Sequence, residues 1–316
     1  MIDNGEPFIM FTSKAIEIYP FGFGPTTNLV IRAPSGKDIV LSLSQQQMDS
    51  IHFRTARQFF KRCREERLLS LIDEAKNGRA LEEIVRHYDI ADVCNFSDIN
   101  IYGLRRMLKV IVHALYRYPR LRSKLCFLGT HHTYEDIVQR LMRGDVEMLH
   151  AFGLEYICSS QNARELGNFL HELFYPLILD DTSYIATAIS ALGFFDAILF
   201  DRNDFDGLSY VRIISDLRRS AQCGFHPQGC HSPESVVYHE IGHMIDYLCN
   251  FSHSPEYSAH MDRFSPREIS ANLSEYAQTS PEEAVAEGFA EYMCNPSPRP
   301  MARWIGEELD RFYRRL

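Results

Sequence analysis

His239 and His243 stand four residues apart in the run Ser235-Val236-Val237-Tyr238-His239-Glu240-Ile241-Gly242-His243-Met244-Ile245-Asp246-Tyr247-Leu248. Residues at this spacing lie one above the other on a helix, so both imidazoles present to the same point. Two neutral imidazoles one turn apart suit a tetrahedral Zn²⁺ site. Glu240 follows the first histidine directly. It cannot easily share the ion, but it can take a proton from a water activated there and pass it to a leaving amine. Gly242 is a costly residue in mid-helix, by roughly 1 kcal/mol against alanine. It predicts close approach by another element beneath the metal. Asp246, three residues after His243, is a candidate to orient a ligand histidine. Pro233 suits a first helical position with Ser232 as N-cap. A superficially similar stretch, His171-Glu172-Leu173-Phe174-Tyr175, lacks the second histidine and reads as an ordinary helix end.

A catalytic zinc needs a third protein ligand and an open fourth position. Downstream, Ser280 as N-cap, Pro281 at the first position and Glu283 at the third announce a new helix. Glu283, Glu287 and Glu291 then fall on one face at intervals of four. Like charges on one stripe repel unless something positive compensates them, and a zinc ion would do so for at least one. Glu283 has an alternative use, as a capping side chain bonded back to Ser280. Spacing alone separates neither these uses nor Glu283 from Glu287.

The elements that must carry these residues are mixed near the start and helical later. Phe8–Phe11 is a short apolar run, and Asn28–Arg32 and Asp38–Ser42 flank Pro34-Ser35-Gly36-Lys37 as a hairpin. A long helix is expected from about Gln46 to Ala75, ended by Asn77-Gly78, with a shorter one around Leu81 to His87. Beyond that, Ile101, Leu104, Leu108, Ile111 and Leu115 recur at helical spacing until Pro119. Further helices are expected around Tyr134 to Met142, Ala163 to Leu173 and Leu208 to Arg219, and almost everything after Pro233 is helical. Ala197–Phe200, bounded by Asp196 and Asp201, reads as a strand. These readings divide the chain into an accessory region, residues 1–92, and a helical domain, residues 93–316, with no repeat or low-complexity segment.

Bulk properties narrow the partners. The 316 residues are 45% hydrophobic and 24% charged, enough for a sizeable core. A formal charge of −9 argues against nucleic acid as the main partner, a local basic patch at Lys61-Arg62-Cys63-Arg64 notwithstanding. The N-terminal residues show no secretory pattern, and the apolar region Tyr175–Phe200 is too interrupted by Asp180, Asp181 and Asp196 to span a bilayer. A cytoplasmic setting with no membrane partner is expected, virion association or non-classical export staying open. The eight cysteines form no CxxC pair and read as reduced, mostly buried thiols. Cys223 and Cys230 flank His226 but match no zinc spacing.

The segment His239–Asp246, together with Tyr276-Ala277-Gln278-Thr279-Ser280-Pro281-Glu282-Glu283-Ala284-Val285-Ala286-Glu287-Gly288-Phe289, resembles the catalytic domain of anthrax lethal factor-like peptidases. It is also similar to related metallopeptidase-like domains of phages and other mobile elements, as is the stretch Phe225-His226-Pro227-Gln228-Gly229. The resemblance is specific over roughly residues 225 to 292, weak back to about residue 97 and absent before. The Ser280-Pro281 pair is a local departure. The resemblance implies an α+β fold: a mostly helical zincin-type domain with a small sheet. It implies His239, His243 and Glu283 as ligands of Zn²⁺, Glu240 as general base and acid, Tyr276 as donor to the tetrahedral intermediate, and Glu287 as a supporting carboxylate. It implies an endopeptidase acting on a protein or peptide, with an edge strand above the metal that binds substrate backbone. Ala197–Phe200 is the expected strand. The rival readings are a phage or mobile-element structural protein that keeps zinc for stability, an effector toxin, and a binding module without metal. The oligomeric state is open.

Overall fold

The structure is a computed structural model that describes residues 8–11, 15–21, 26–32, 38–44, 65–97, 99–123, 125–154, 158–179, 186–191, 195–200 and 209–316. Its described residues combine many helices with two small sheets, an α+β arrangement.

The first sheet is antiparallel, in the order β1 (Phe8–Phe11), β2 (Ala15–Phe21), β3 (Thr26–Arg32), β4 (Asp38–Ser44). The expected hairpin is β3–β4, in register from Thr26↔Ser44 to Arg32↔Asp38. Strand β2 was not expected, and Pro20 explains why a propensity reading passes over it. The structure tolerates Pro20 because β1 pairs only with residues from Ala15 to Ile18. At Pro20 the ladder is needed on the β3 side alone.

Of the long helix expected from Gln46, the part before residue 65 lies outside the described residues, as does the basic patch from Lys61 to Arg64. The rest is α1 (Glu65–Glu74). Asn77 opens the next helix, α2 (Gly78–His87), its side chain accepting from the Ala80 amide at 2.9 Å. Strand β5 (Val93–Asn95), α3 (Ile101–Arg117) and β6 (Leu125–Thr130) follow. Parallel neighbours need a crossover, and α3 supplies it between β5 and β6. Then come α4 (His131–Met142), α5 (Val146–Ala151) and α6 (Ser160–Leu179). His171 and Glu172 lie inside α6, not at its end, because the helix runs on through Pro176 to Leu179.

Strands β7 (Ala186–Ala191) and β8 (Phe195–Phe200) complete the second sheet, in the order β5-β6-β8-β7. Strands β5, β6 and β8 are parallel, and β7 runs antiparallel to β8. The strand read at Ala197–Phe200 therefore exists, but it is not an edge. Its fully buried residues Ala197, Ile198, Leu199 and Phe200 fit a strand with a neighbour on both sides. The edges are β5 and β7, and β7 is the one that packs against α8.

The remaining chain is helical: α7 (Ser209–Cys223), α8 (Pro233–Cys249), α9 (Pro255–Met261), α10 (Pro266–Asn272), α11 (Pro281–Cys294) and α12 (Pro300–Arg315). Five of these six, α8 to α12, carry proline in the first turn, where its missing N–H costs nothing. Helix α8 packs against α3, β7 and α11. One buried cluster runs from Leu68 and Ile72 through Ile90, Ala91, Leu104 and Leu108 to Val237, Ile241, Phe289 and Ile305, and it is continuous across residue 92.

Gly242 explains how closely α8 and α11 cross. A Cβ there would lie 2.9 Å from Ala286 Cα and 3.3 Å from Phe289 Cβ. The close approach expected from the sequence is made by α11, and it brings that helix's face of glutamates under the two histidines.

Cys63 lies outside the described residues. Of the others, Cys94, Cys126 and Cys230 are buried, Cys158, Cys249 and Cys294 half-buried, and Cys223 exposed. Burial is thus less general than expected. No helix among the described residues is long and apolar enough to cross a membrane.

Candidate metal centre

Ser232 starts α8, with Ser235 Oγ donating to the Ser232 carbonyl at 2.6 Å. This fixes the phase of the helix, so His239 and His243 face α11. Their Nε2 atoms lie 3.1 Å apart. Glu283 Oε2 lies 3.1 Å from His239 Nε2 and 3.4 Å from His243 Nε2. Two nitrogens and one oxygen thus form a nearly equilateral triangle. Zinc–ligand bonds of about 2.0–2.1 Å at tetrahedral angles separate ligand atoms by about 3.3 Å. The triangle has the size of one tetrahedral face. Among the described residues, His239, His243 and Glu283 are the group that could hold a metal ion; no cluster forms around Cys223, His226 and Cys230. Glu283 Oε2 is buried and makes no hydrogen bond of good geometry, as is true of His243 Nδ1. The donor set and its buried, underused oxygen fit a divalent cation with borderline-soft preferences.

Ser280 caps α11 by accepting from the Glu283 amide at 3.2 Å. Only the backbone of Glu283 serves the cap; its carboxylate turns to the histidines. Spacing left Glu283 and Glu287 open; where α11 lies against α8, Glu283 and not Glu287 reaches both Nε2 atoms.

Glu287 sits one turn further along, almost wholly buried. Its Oε1 is 3.0 Å from His239 Nδ1, and its Oε2 accepts from Ser274 Oγ at 2.7 Å. Burial pushes this carboxyl up, but bonds from His226 and His239 outweigh it and hold the pKa below the ordinary carboxylate value. Glu287 is therefore an anionic acceptor placed to take the His239 Nδ1 proton, which would leave Nε2 for a cation in the triangle. Burial opposes the charged form of both histidines. Hydrogen bonds and charge from Glu283 overcome it, with Glu287 adding at His239, and both pKa values rise. Partial burial pushes the Glu283 carboxyl up, but the charge and close approach of the two rings outweigh it and hold it far below its ordinary value.

Glu240 is buried and stands outside the triangle. Its Oε2 accepts from the Ala188 amide of β7 at 2.6 Å. Burial raises its pKa, against the lowering charge of His239 and His243. Tyr276, in a 3-10 turn ahead of α11, places its ring 6.1 Å from that of His239. Tyr247 stacks on His243 at 5.9 Å and 16°.

Asp246 does something other than expected. Its Oδ1 accepts from the Ser252 amide at 2.7 Å, closing the chain after α8, and no hydrogen bond joins it to His243. Three residues along a helix is the right direction, but the turn after Asn250, which is left-handed at φ 52°, brings a backbone donor to the carboxylate first. The orienting carboxylate is Glu287, and it acts on His239. Sequence reasoning missed three contributors. Ser274 and the Ala188 amide carried no signal; His226 stood in a noticed stretch but had no assigned role.

Compared with models of known protein families, with curated proteins and with solved structures, the chain matches none.

Proposed function

We propose that this chain is a zinc-dependent endopeptidase of the zincin type, related in its site to the lethal factor-like peptidases. The observation that carries the reading is the triangle of His239 Nε2, His243 Nε2 and Glu283 Oε2, with Glu240 beside it and not in it. Zn²⁺ bound there would supply Lewis acidity towards water and a peptide carbonyl. His239, His243 and Glu283 hold the ion, and Glu287 keeps His239 in the required tautomer. Glu240, with one oxygen tied to Ala188, uses the other to take a proton from the attacking water and deliver it to the leaving nitrogen. Its raised pKa moves it towards the range in which it can do both. The Tyr276 hydroxyl donates to the carbonyl oxygen as charge grows there. Strand β7, the edge next to Glu240, replaces β8 as the element that pairs with an extended peptide.

The test is a peptide-library digest with the zinc-loaded chain, with and without chelator. Glu240→Gln keeps zinc and loses about 10²-fold or more in cleavage. Tyr276→Phe loses a comparable amount, on the order of 10²-fold. Wild-type rates in both variants would remove these residues from the chemistry. A chain that binds zinc and cleaves nothing would support the structural reading instead.

A further inference from the structure

We propose that His226 is a positioning residue of the metal centre, fixing the Glu287 carboxylate and, through it, the His239 nitrogen that faces the cation. This rests on the metal reading above.

The loop after α7 is tied down along its length. Gly224 and Phe225 offer their carbonyls to the amides of Glu275 (2.8 Å) and Tyr276 (3.1 Å). At the far end Gly229 has φ +84°, and a Cβ there would lie 2.9 Å from Asn295 Cβ, so the loop lies tight against the end of α11. Between these anchors His226 touches two parts of the site. Its Nδ1 lies 3.3 Å from Oε1 and 3.4 Å from Oε2 of Glu287. Its ring meets that of Tyr276 edge-on, at 5.8 Å and 76°.

Glu287 thus has donors from three separate segments: Ser274 Oγ, His239 Nδ1 and His226 Nδ1. Ser274 holds one oxygen and leaves the carboxylate plane free to turn about it. His226, straddling both oxygens, fixes the plane. A fixed plane keeps Oε1 aligned with the His239 Nδ1 proton, which holds the ring and leaves Nε2 bare towards the cation. With His226 removed, the carboxylate rotates and His239 loses its constraint.

The experiment measures zinc affinity of the full-length chain by competition with a chromogenic chelator. Three variants separate hydrogen bonding from packing: His226→Ala, His226→Phe, which keeps a ring against Tyr276, and His226→Gln, whose amide can donate to Glu287. Ala and Phe should weaken zinc about tenfold, the low end of the 10–100-fold typical for outer partners of a metal ligand. Gln should recover most of the loss. Combined with Glu287→Gln, the Phe variant should add little further loss, because both act on one bond. Equal affinity in all three single variants, an equal loss in Gln and Phe, or additive losses in the double variant would each overturn the proposal. So would an earlier melt of the metal-free Ala and Phe variants with zinc affinity unchanged, since His226 would then only pack the loop. A wild-type chain that binds no zinc overturns the metal reading itself and this inference with it, an outcome distinct from the others.

Discussion

Glu283 and Glu291 occupy the same face of the same helix, two turns apart, and the protein treats them differently. Glu291 is fully buried and has a cation built in: Arg299 reaches it with Nη2 at 2.6 Å, with Nε at 3.1 Å from each oxygen, and with its own amide at 2.8 Å. The same guanidinium also bonds the Leu273 carbonyl, which closes the end of α10. At Glu283 the facing groups are two imidazoles, with a buried oxygen that lacks a well-aligned donor. Between them Glu287 faces a hydroxyl and two imidazoles. One stripe of carboxylates thus has a permanent positive partner at one end and a place for a dissociable one at the other. Burial of a charge is tolerated only where it is paired or hydrogen-bonded. The contrast separates an ion pair that holds the fold from a group that could hold a cation.

That contrast can be broken at either end. The largest effect belongs to the ligands: His239→Ala or His243→Ala should abolish stoichiometric zinc in the purified chain, read by elemental analysis. Arg299→Ala should leave zinc binding intact but cost about 3–5 kcal/mol in denaturant unfolding, because Glu291 is left buried without its partner. If Arg299→Ala removed the zinc and spared stability, the division between the two ends would be wrong.

Asp246 offers a smaller, pH-dependent test. Burial lifts its carboxyl from 3.8 to about 6, against the lowering effect of Ser252 and His243. The folded chain therefore holds this proton more tightly than the unfolded one. Its stabilising effect is complete below pH 4 and is lost as pH rises through 6. The difference amounts to about 3 kcal/mol. Asp246→Asn keeps an oxygen for the Ser252 amide and removes the titration. In metal-free protein the variant should gain stability on wild type by up to that amount between pH 4 and pH 7; parallel pH profiles would refute it. Smallest is Gly242→Ala, expected to cost about 1–3 kcal/mol by overpacking the α8–α11 crossing. Zinc affinity should fall with it, as the crossing holds Glu283 against the histidines; an unchanged melt would mean that α11 yields without strain.

Local chemistry made much of this legible beforehand. Helical spacing brings His239 and His243 together whatever surrounds them, Ser232-Pro233 and Ser280-Pro281 mark their helices, and Gly242 announces a neighbour. These depend on residues within a turn or two of each other, where backbone geometry is fixed by the helix itself. The hairpin β3–β4 and the helix α3 were readable for the same reason.

What the tertiary structure decided is every relation between segments far apart in the chain. The sequence offered a row of three glutamates and could not say which one meets the histidines; the depth at which α11 crosses α8 selects Glu283, hands Glu287 to His239 and leaves Glu291 to Arg299. The sequence showed a strand at Ala197–Phe200, but whether a strand is an edge depends on its neighbours, and β7 takes that place. His226 and Ser274 meet Glu287 across 61 and 13 residues of chain. No local pattern encodes such meetings, because the energy that enforces them comes from burying α8, α11 and α3 against one another, a property of whole surfaces and not of spacing.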